Sequence, residues 1–291
     1  MKFAIAFANI GPLAHPRPAV EFAQAAEAAG FESVWAVEHS VVPAGYESTY
    51  PYDPSGRMPG PDDSEIPDPL VWLSFLASAT STLKLATGVL ILPQRNPMVL
   101  AKEVATIDMM SEGRMLLGVG SGWLEEEFDA IGVPFAERGR RTDENVAVLR
   151  ALWEQDEASF EGEFHSFSNC IVSPKPVEGT IPIHVGGHTP VAARRAGRLG
   201  NGFFPAKGNH EELRDLFATA RATAEEHGRD PDAIEFTTGG NGVLGSGALA
   251  EIEALAELGV DRVIVPSFVF WGNPAEDLAR YGEEVIAKSQ A

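Results

Sequence analysis

Short apolar runs and helix-period stretches alternate along nearly the whole chain. Residues 2–9 predict a first strand, and residues 18–29 a helix with Val20, Ala23, Ala26 and Ala29 near one face and Gly30 as its stop. Residues 33–37 form a second strand running into Glu38-His39. Residues 69–79 read as a helix and residues 83–92 as a strand apolar on both faces. Asn96-Pro97 opens a helix through Met110, with Leu100, Val104 and Ile107 on one stripe. A turn at 111–113 leads to a fourth strand, 114–119, which exits in Gly120-Ser121-Gly122-Trp123. A helix follows over 138–154, carrying Val146, Leu149 and Trp153 at helical spacing.

The second half repeats the alternation. Residues 155–179 resemble a short hairpin and then a proline-containing loop, after which 181–185 give strand five. That strand enters a Gly186-Gly187 turn and a helix with Thr189 as N-cap and Pro190 at its first position, ended by Gly197 or Gly200. Strands at 201–204, 234–238 and 261–265 alternate with helices at 211–226, 249–258 and 274–287. Eight strands, each followed by a helix or a long loop, predict a single-domain α/β fold, a (β/α)8 barrel over residues 1–291 with extended loops after strands two and four. A doubly wound sheet is the rival, but residues 118–123 lack the third glycine of a dinucleotide turn and sit mid-chain. Residues 41–68, rich in Pro, Gly, Asp and Tyr, have no period, and a connection of that length is expected to be a lid.

Composition narrows the partners. The formal charge of −20 argues against nucleic acid and anionic membranes, and no apolar run reaches the roughly 20 residues of a membrane span. Cys170 is the single cysteine, so no internal disulfide forms, and with no convincing signal segment a cytoplasmic location is expected.

In a barrel the chemistry gathers at the strand C-termini, which here end in Asn9, Glu38-His39, Gly88-Val89, Gly120-Ser121-Gly122-Trp123 and Gly186-Gly187-His188. The Gly-Gly turn and capped helix form a phosphate cradle in outline, since glycines admit an anion to backbone N–H groups and the helix start favours negative charge. His39 is the leading titratable group. It reads equally as an acid/base residue or as a hydrogen-bonded rim histidine, with Glu38 either orienting it or facing solvent. Trp123 reads equally as a stacking wall or as packing, whereas Trp35, Trp72 and Trp153 are expected in the core. Arg194, Arg195 and Arg198 can reach a phosphate, but a solvated helix face is the expected role of at least two. No metal site is expected, because the glycines between His184 and His188 break any shared helical face.

The ordered set GFESVWAVEH (30–39), LKLATGVLILPQRNPMVLAKEVATIDMMSEGRMLLGVGSGW (83–123), VPFAERGRRTDENVAVLRALW (133–153) and VGGHTPVAARRAGRLGNGF (185–203) resembles the luciferase-like monooxygenase superfamily, in particular its coenzyme F420-dependent oxidoreductases. The resemblance implies a homodimeric barrel with a deazaflavin at the strand C-termini. It also implies a non-proline cis peptide at or near Gly88-Val89 supporting the ring, with Asn9, Gly120 and Ser121 on the cofactor side. The phosphate lies against Gly186, Gly187, His188 and Thr189, and an acid–histidine pair, Glu38-His39, has His39 near the reactive carbon. Some sugar-phosphate dehydrogenases of the family carry glutamate where this chain has Trp123, so a less polar small-molecule substrate beside Trp123 is expected. Hydride transfer between F420 and that substrate is the implied reaction. The alternatives are an FMN-dependent monooxygenase fed by a partner reductase, and a flavin-binding protein without turnover.

Overall fold

The computed structural model describes residues 1–290; Ala291, the last residue of the expected single domain, lies outside them. Strands β1 (Lys2–Ala6), β2 (Ser33–Ala36) and β3 (Lys84–Thr87) pair in parallel, and β4 (Leu90–Ile91) continues the line of β3. The wall runs on through β5 (Met115–Gly120), β8 (Ile183–Gly186), β9 (Gly202–Phe204), β10 (Glu235–Thr238) and β11 (Arg262–Pro266), which pairs back onto β1. This is the expected closed barrel. Strands β6 (Ala158–Glu161) and β7 (Ser166–Cys170) form a separate antiparallel hairpin.

Helices α1 (Pro16–Ala28), α2 (Pro69–Ala77) and α3 (Pro97–Met110) follow the first three barrel strands. Asp68 and Asn96 cap α2 and α3, each accepting two N–H groups of the first turn. After β5 come a short α4 (Glu125–Ile131) and α5 (Arg138–Glu154), then α6 (Pro190–Leu199), α7 (His210–Glu226), α8 (Ala248–Glu257) and α9 (Pro274–Tyr281). Beyond α9 the last helix passes through a π-helical turn, Gly282–Ile286. There Gly282 meets the end of α1 so closely that a Cβ would stand 2.4 Å from Ala29 O. Trp35, Trp72 and Trp153 are all buried, as expected.

The expected third strand is divided. The Gly88-Val89 peptide is cis, and β3 and β4 contact β5 on either side of it. The divide is tight: a Cβ on Gly118 would stand 1.9 Å from Thr87 O, and Thr87 Oγ1 donates to Gly118 O at 2.6 Å.

The strand N-termini are plugged by charge. Arg262, fully buried, pairs with Glu32 at 2.9 Å and Glu235 at 3.0 Å, and donates to Thr237 at 3.1 Å. Lys2 binds Glu235, and Lys84 lies 3.9 Å from Glu32. Burial raises the Glu235 carboxyl, but Arg262 and Lys2 outweigh it and bring the pKa down to about 2. His184 fills the space that Gly202 leaves open, and burial together with the Arg262 charge pushes its pKa down to about 3.

Candidate active site

At the opposite end, His39 emerges from β2 with its Nδ1 3.0 Å from Oε2 of Glu127. Glu127 belongs to α4, the helix hidden in the loop after strand four, and its side chain has no exposed surface. Its other oxygen accepts from Ser40 N–H at 2.6 Å and Val41 N–H at 3.2 Å. A buried carboxylate bonded in this way makes Nδ1 the donor, which leaves Nε2 as the basic nitrogen of a neutral His39.

The expected Glu38-His39 pair is therefore corrected. Glu38 accepts from Ile91 N–H and from Arg95, which also binds Asp68 at the foot of α2. Burial raises its pKa despite Arg95. Glu38 anchors the far end of the 41–68 loop to the barrel, and Glu127 holds the near end. Asn9 is corrected as well. Its amide donates to Val37 O at 2.9 Å and Pro67 O at 3.0 Å, so both donor hydrogens join protein to protein.

Val89 takes over part of the role expected of the glycines. It is half-buried above the cis bond, and Cβ atoms on Gly120 or Gly186 would each stand 2.6 Å from one of its methyl carbons. These glycines make room for Val89 and hold it as a shelf, rather than admitting a ligand to their own backbones.

The 41–68 loop covers this end with rings. Trp123 lies edge-on to His39 at 5.7 Å, to Tyr46 at 5.4 Å and to Tyr50 at 5.1 Å. The contacts continue from Tyr50 to Tyr52 at 5.4 Å and from Tyr52 to His188 at 5.1 Å. Burial raises the Tyr50 hydroxyl to a pKa of about 12. Trp123 is thus packed among rings, and the 41–68 loop runs from His39 to the start of α6. Glu126 adds a tie, accepting Glu47 N–H at 2.6 Å and Ser48 N–H at 3.0 Å.

In the cradle, Thr189 caps α6 by accepting from Ala192 N–H at 3.3 Å. Gly187 (φ 128°) donates its N–H to Phe204 O at 3.1 Å, so it serves the turn instead of a phosphate. The N–H groups of His188, Thr189 and Val191 have no hydrogen-bond partner among the described residues. His188 Nδ1 is also buried without a partner, and burial plus the Lys207 charge lower the pKa of that ring. Ser121 Oγ lies 3.0 Å from Thr142 Oγ1. Arg195 and Arg198 are not the solvated cations expected, because both bind Asp143.

Sequence reasoning missed Glu127. A signal was present: three glutamates in a first helical turn, with Leu124 and Phe128 four apart and both buried.

A family model described as luciferase-like monooxygenase matches residues 3–288. An uncharacterised protein of Mycobacterium tuberculosis is 32% identical over 279 residues, covering 92% of this chain and 94% of its own. An F420-dependent glucose-6-phosphate dehydrogenase of Kineococcus radiotolerans is 32% identical over 228 residues, 76% of this chain and 62% of the relative. The coenzyme F420-dependent tetrahydromethanopterin reductase of Methanopyrus kandleri superposes with a TM-score of 0.76 at 19% identity over 99% of each chain.

Proposed function

The chain belongs to the luciferase-like monooxygenase family of oxidoreductases, and from that membership we propose that it is an F420-dependent enzyme acting on a small, weakly polar alcohol or ketone. The observation that carries the proposal is the His39–Glu127 pair beside Trp123, at the barrel end where the relatives' chemistry is expected. The F420-dependent relative, similar over 76% of this chain, supports the cofactor.

Two features fit a flavin-like group. Val89 offers a raised apolar surface on the cis bond, suited to the face of a flat ring. The unpaired N–H groups and His188 Nδ1 at the start of α6 suit a phosphate. Val89 would bear the ring, and Ser121, His188 and Thr189 would hold the phosphate end. When bound, the deazaflavin accepts or returns the hydride. His39 Nε2 would take the substrate's hydroxyl proton, and Glu127 would stabilise the imidazolium that forms. The aromatic lid excludes water and orients the substrate against His39.

Fluorescence titration of the purified chain with F420 and with FMN tests the cofactor. F420 is expected to bind, and His39→Ala is expected to keep that affinity while turnover falls by about a hundredfold or more. Preference for FMN would favour a flavin-dependent oxygenase fed by a partner reductase; unchanged turnover in His39→Ala would remove the acid/base role.

A further inference from the structure

We propose that Phe7 and Phe268 form an apolar track on the β1–β11 side of the barrel mouth, leading from the Val89 shelf to a cavity beside Trp271. The track selects alcohols or ketones whose reacting carbon carries an apolar chain of medium length. The inference rests on the alcohol or ketone reading above and gives that substrate a shape.

The barrel strands divide their side chains between two cores. On β1, Phe3 and Ile5 join the core under the helices, whereas Ala4 and Ala6 join Trp35, Leu116 and Ile264 in a small cluster inside the barrel. Two half-buried residues pack against that inner cluster, Phe7 and Val89. Phe7 follows the end of β1 and Val89 the end of β3, so they share one floor at the mouth where His39 stands.

Phe7 is held in an unusual conformation. Its φ is 55°, a left-handed value that residues other than glycine and asparagine rarely adopt, and the fully buried Ser267 donates its hydroxyl to Phe7 O at 2.6 Å. Strain of this kind persists only where the surroundings fix it, and it gathers at ligand sites. The Phe7 ring lies 6.2 Å from Phe268, which follows Ser267 in the turn after β11 and is 51% exposed although apolar. Phe268 in turn lies 6.3 Å from Trp271.

Trp271 rests on Gly11, where a Cβ would stand 2.4 Å from the indole, and lines a cavity of about 210 Å³ with Leu13, Pro18, Phe22 and Pro274. The polar residues on its wall are engaged: Glu21 accepts from Arg17 at 2.8 Å, and Asn273 donates to Glu276 at 2.6 Å. The cavity therefore offers mainly apolar surface. Its occupant is the substrate's own chain, because the track begins on the floor that Val89 shares. It lies across the barrel from β5 and β8, beyond whose ends stand Trp123 and His188. A chain on the reacting carbon can thus run outward without meeting the lid or the cradle.

The test uses the full chain with F420 and measures kcat/KM for secondary alcohols from isopropanol to secondary decanol. A methylene that leaves water completely is worth about fourfold, and on a floor open to one side about twofold, so kcat/KM is expected to climb by about twofold per carbon. Phe268→Ser is expected to cut the ratio of kcat/KM for secondary decanol to that for isopropanol by about four- to tenfold, and Phe268→Leu to restore most of it. An unchanged melting temperature separates a lost contact from a lost fold. A second readout needs no turnover: secondary decanol is expected to shift the tryptophan emission of the cofactor-free chain to the blue, and Trp271→Phe to remove most of that shift. A flat series, a climb that survives in Phe268→Ser, or an emission unmoved by decanol overturns the track and leaves the deazaflavin reading standing. An emission shift without F420-dependent turnover keeps the track and overturns the deazaflavin reading. Neither turnover nor shift overturns both.

Discussion

Arg262 and His39 lie at opposite ends of one barrel and show how differently the two ends treat buried charge. Around Arg262, Glu32, Glu235 and Thr237 take up the guanidinium, and Lys2 and Lys84 meet the same two carboxylates from outside. Around His39 the bonding stops short. Glu127 is complete, but His39 Nε2 has no hydrogen-bond partner among the described residues, and across the lid neither do His188 Nδ1 and three backbone N–H groups. A core charge is tolerated when its partners are built in; a site is recognisable where they are withheld. The plug also keeps one unpartnered atom, His184 Nδ1, so it is the clustering of unmet polar groups at the His39 end, more than any single one, that marks where a ligand completes the structure.

The largest expected effect tests the built-in end. Arg262→Ala strands two carboxylates, and losing one side of a buried ion pair costs about 3–5 kcal/mol. Denaturant unfolding should show that loss, with cofactor affinity of the folded protein unchanged within about twofold. An affinity loss as large as the stability loss would erase the distinction between the ends. Glu127→Gln tests the other end. Weakening a hydrogen bond to a charged partner is worth about 1.5–3 kcal/mol, so kcat should fall about tenfold to a hundredfold and the pH profile of kcat should shift, while F420 still binds. A normal profile with normal turnover would reduce Glu127 to a lid anchor.

How much of this was legible in the sequence differs between the ends in the same way. Strands declare themselves by local apolar runs, so the barrel, its order and the split at Gly88-Val89 followed from the chain and the family pattern. The plug did not, because Glu32, Glu235 and Arg262 are far apart in sequence and each reads alone as an ordinary strand-end charge. The site was half legible. His39, Val89 and His188 sit at strand ends, where topology predicts them. Asn9 and Glu38 sit there too, yet their side chains turn to Pro67 and Arg95, and only the packed lid shows it. Glu127 was missed because seven helical residues are too few to show a period. The arginines of α6 misled for a related reason: Asp143, which binds two of them, lies on α5, some fifty residues earlier.

The smallest effect separates the two ends by pH. His184 is buried in the plug with a folded pKa of about 3, below the roughly 6.5 of an unfolded histidine. Between those values the unfolded chain binds the proton and the folded chain does not, so the stability His184 contributes is present above about pH 6.5 and is lost as the pH falls towards 3. Glu235, depressed to about 2, adds a second loss that begins only below about pH 4.3. The interval from about 6.5 to 4.3 therefore isolates the histidine from the carboxylate. His184→Phe keeps a planar ring against Gly202 and Trp35 and removes both the proton site and the unpartnered Nδ1. In that interval the slope of unfolding free energy against pH should flatten by up to about 1.4 kcal/mol per pH unit, the value for one proton. The acid limb below pH 4.3 should remain, because Glu235 keeps Arg262. An unchanged slope above pH 4.3 would mean that another histidine carries the acid sensitivity, with His188 in the ligand cradle as the candidate, since burial and Lys207 depress it too. The withheld end of the barrel would then govern stability as well as chemistry, and the contrast between the ends would fail.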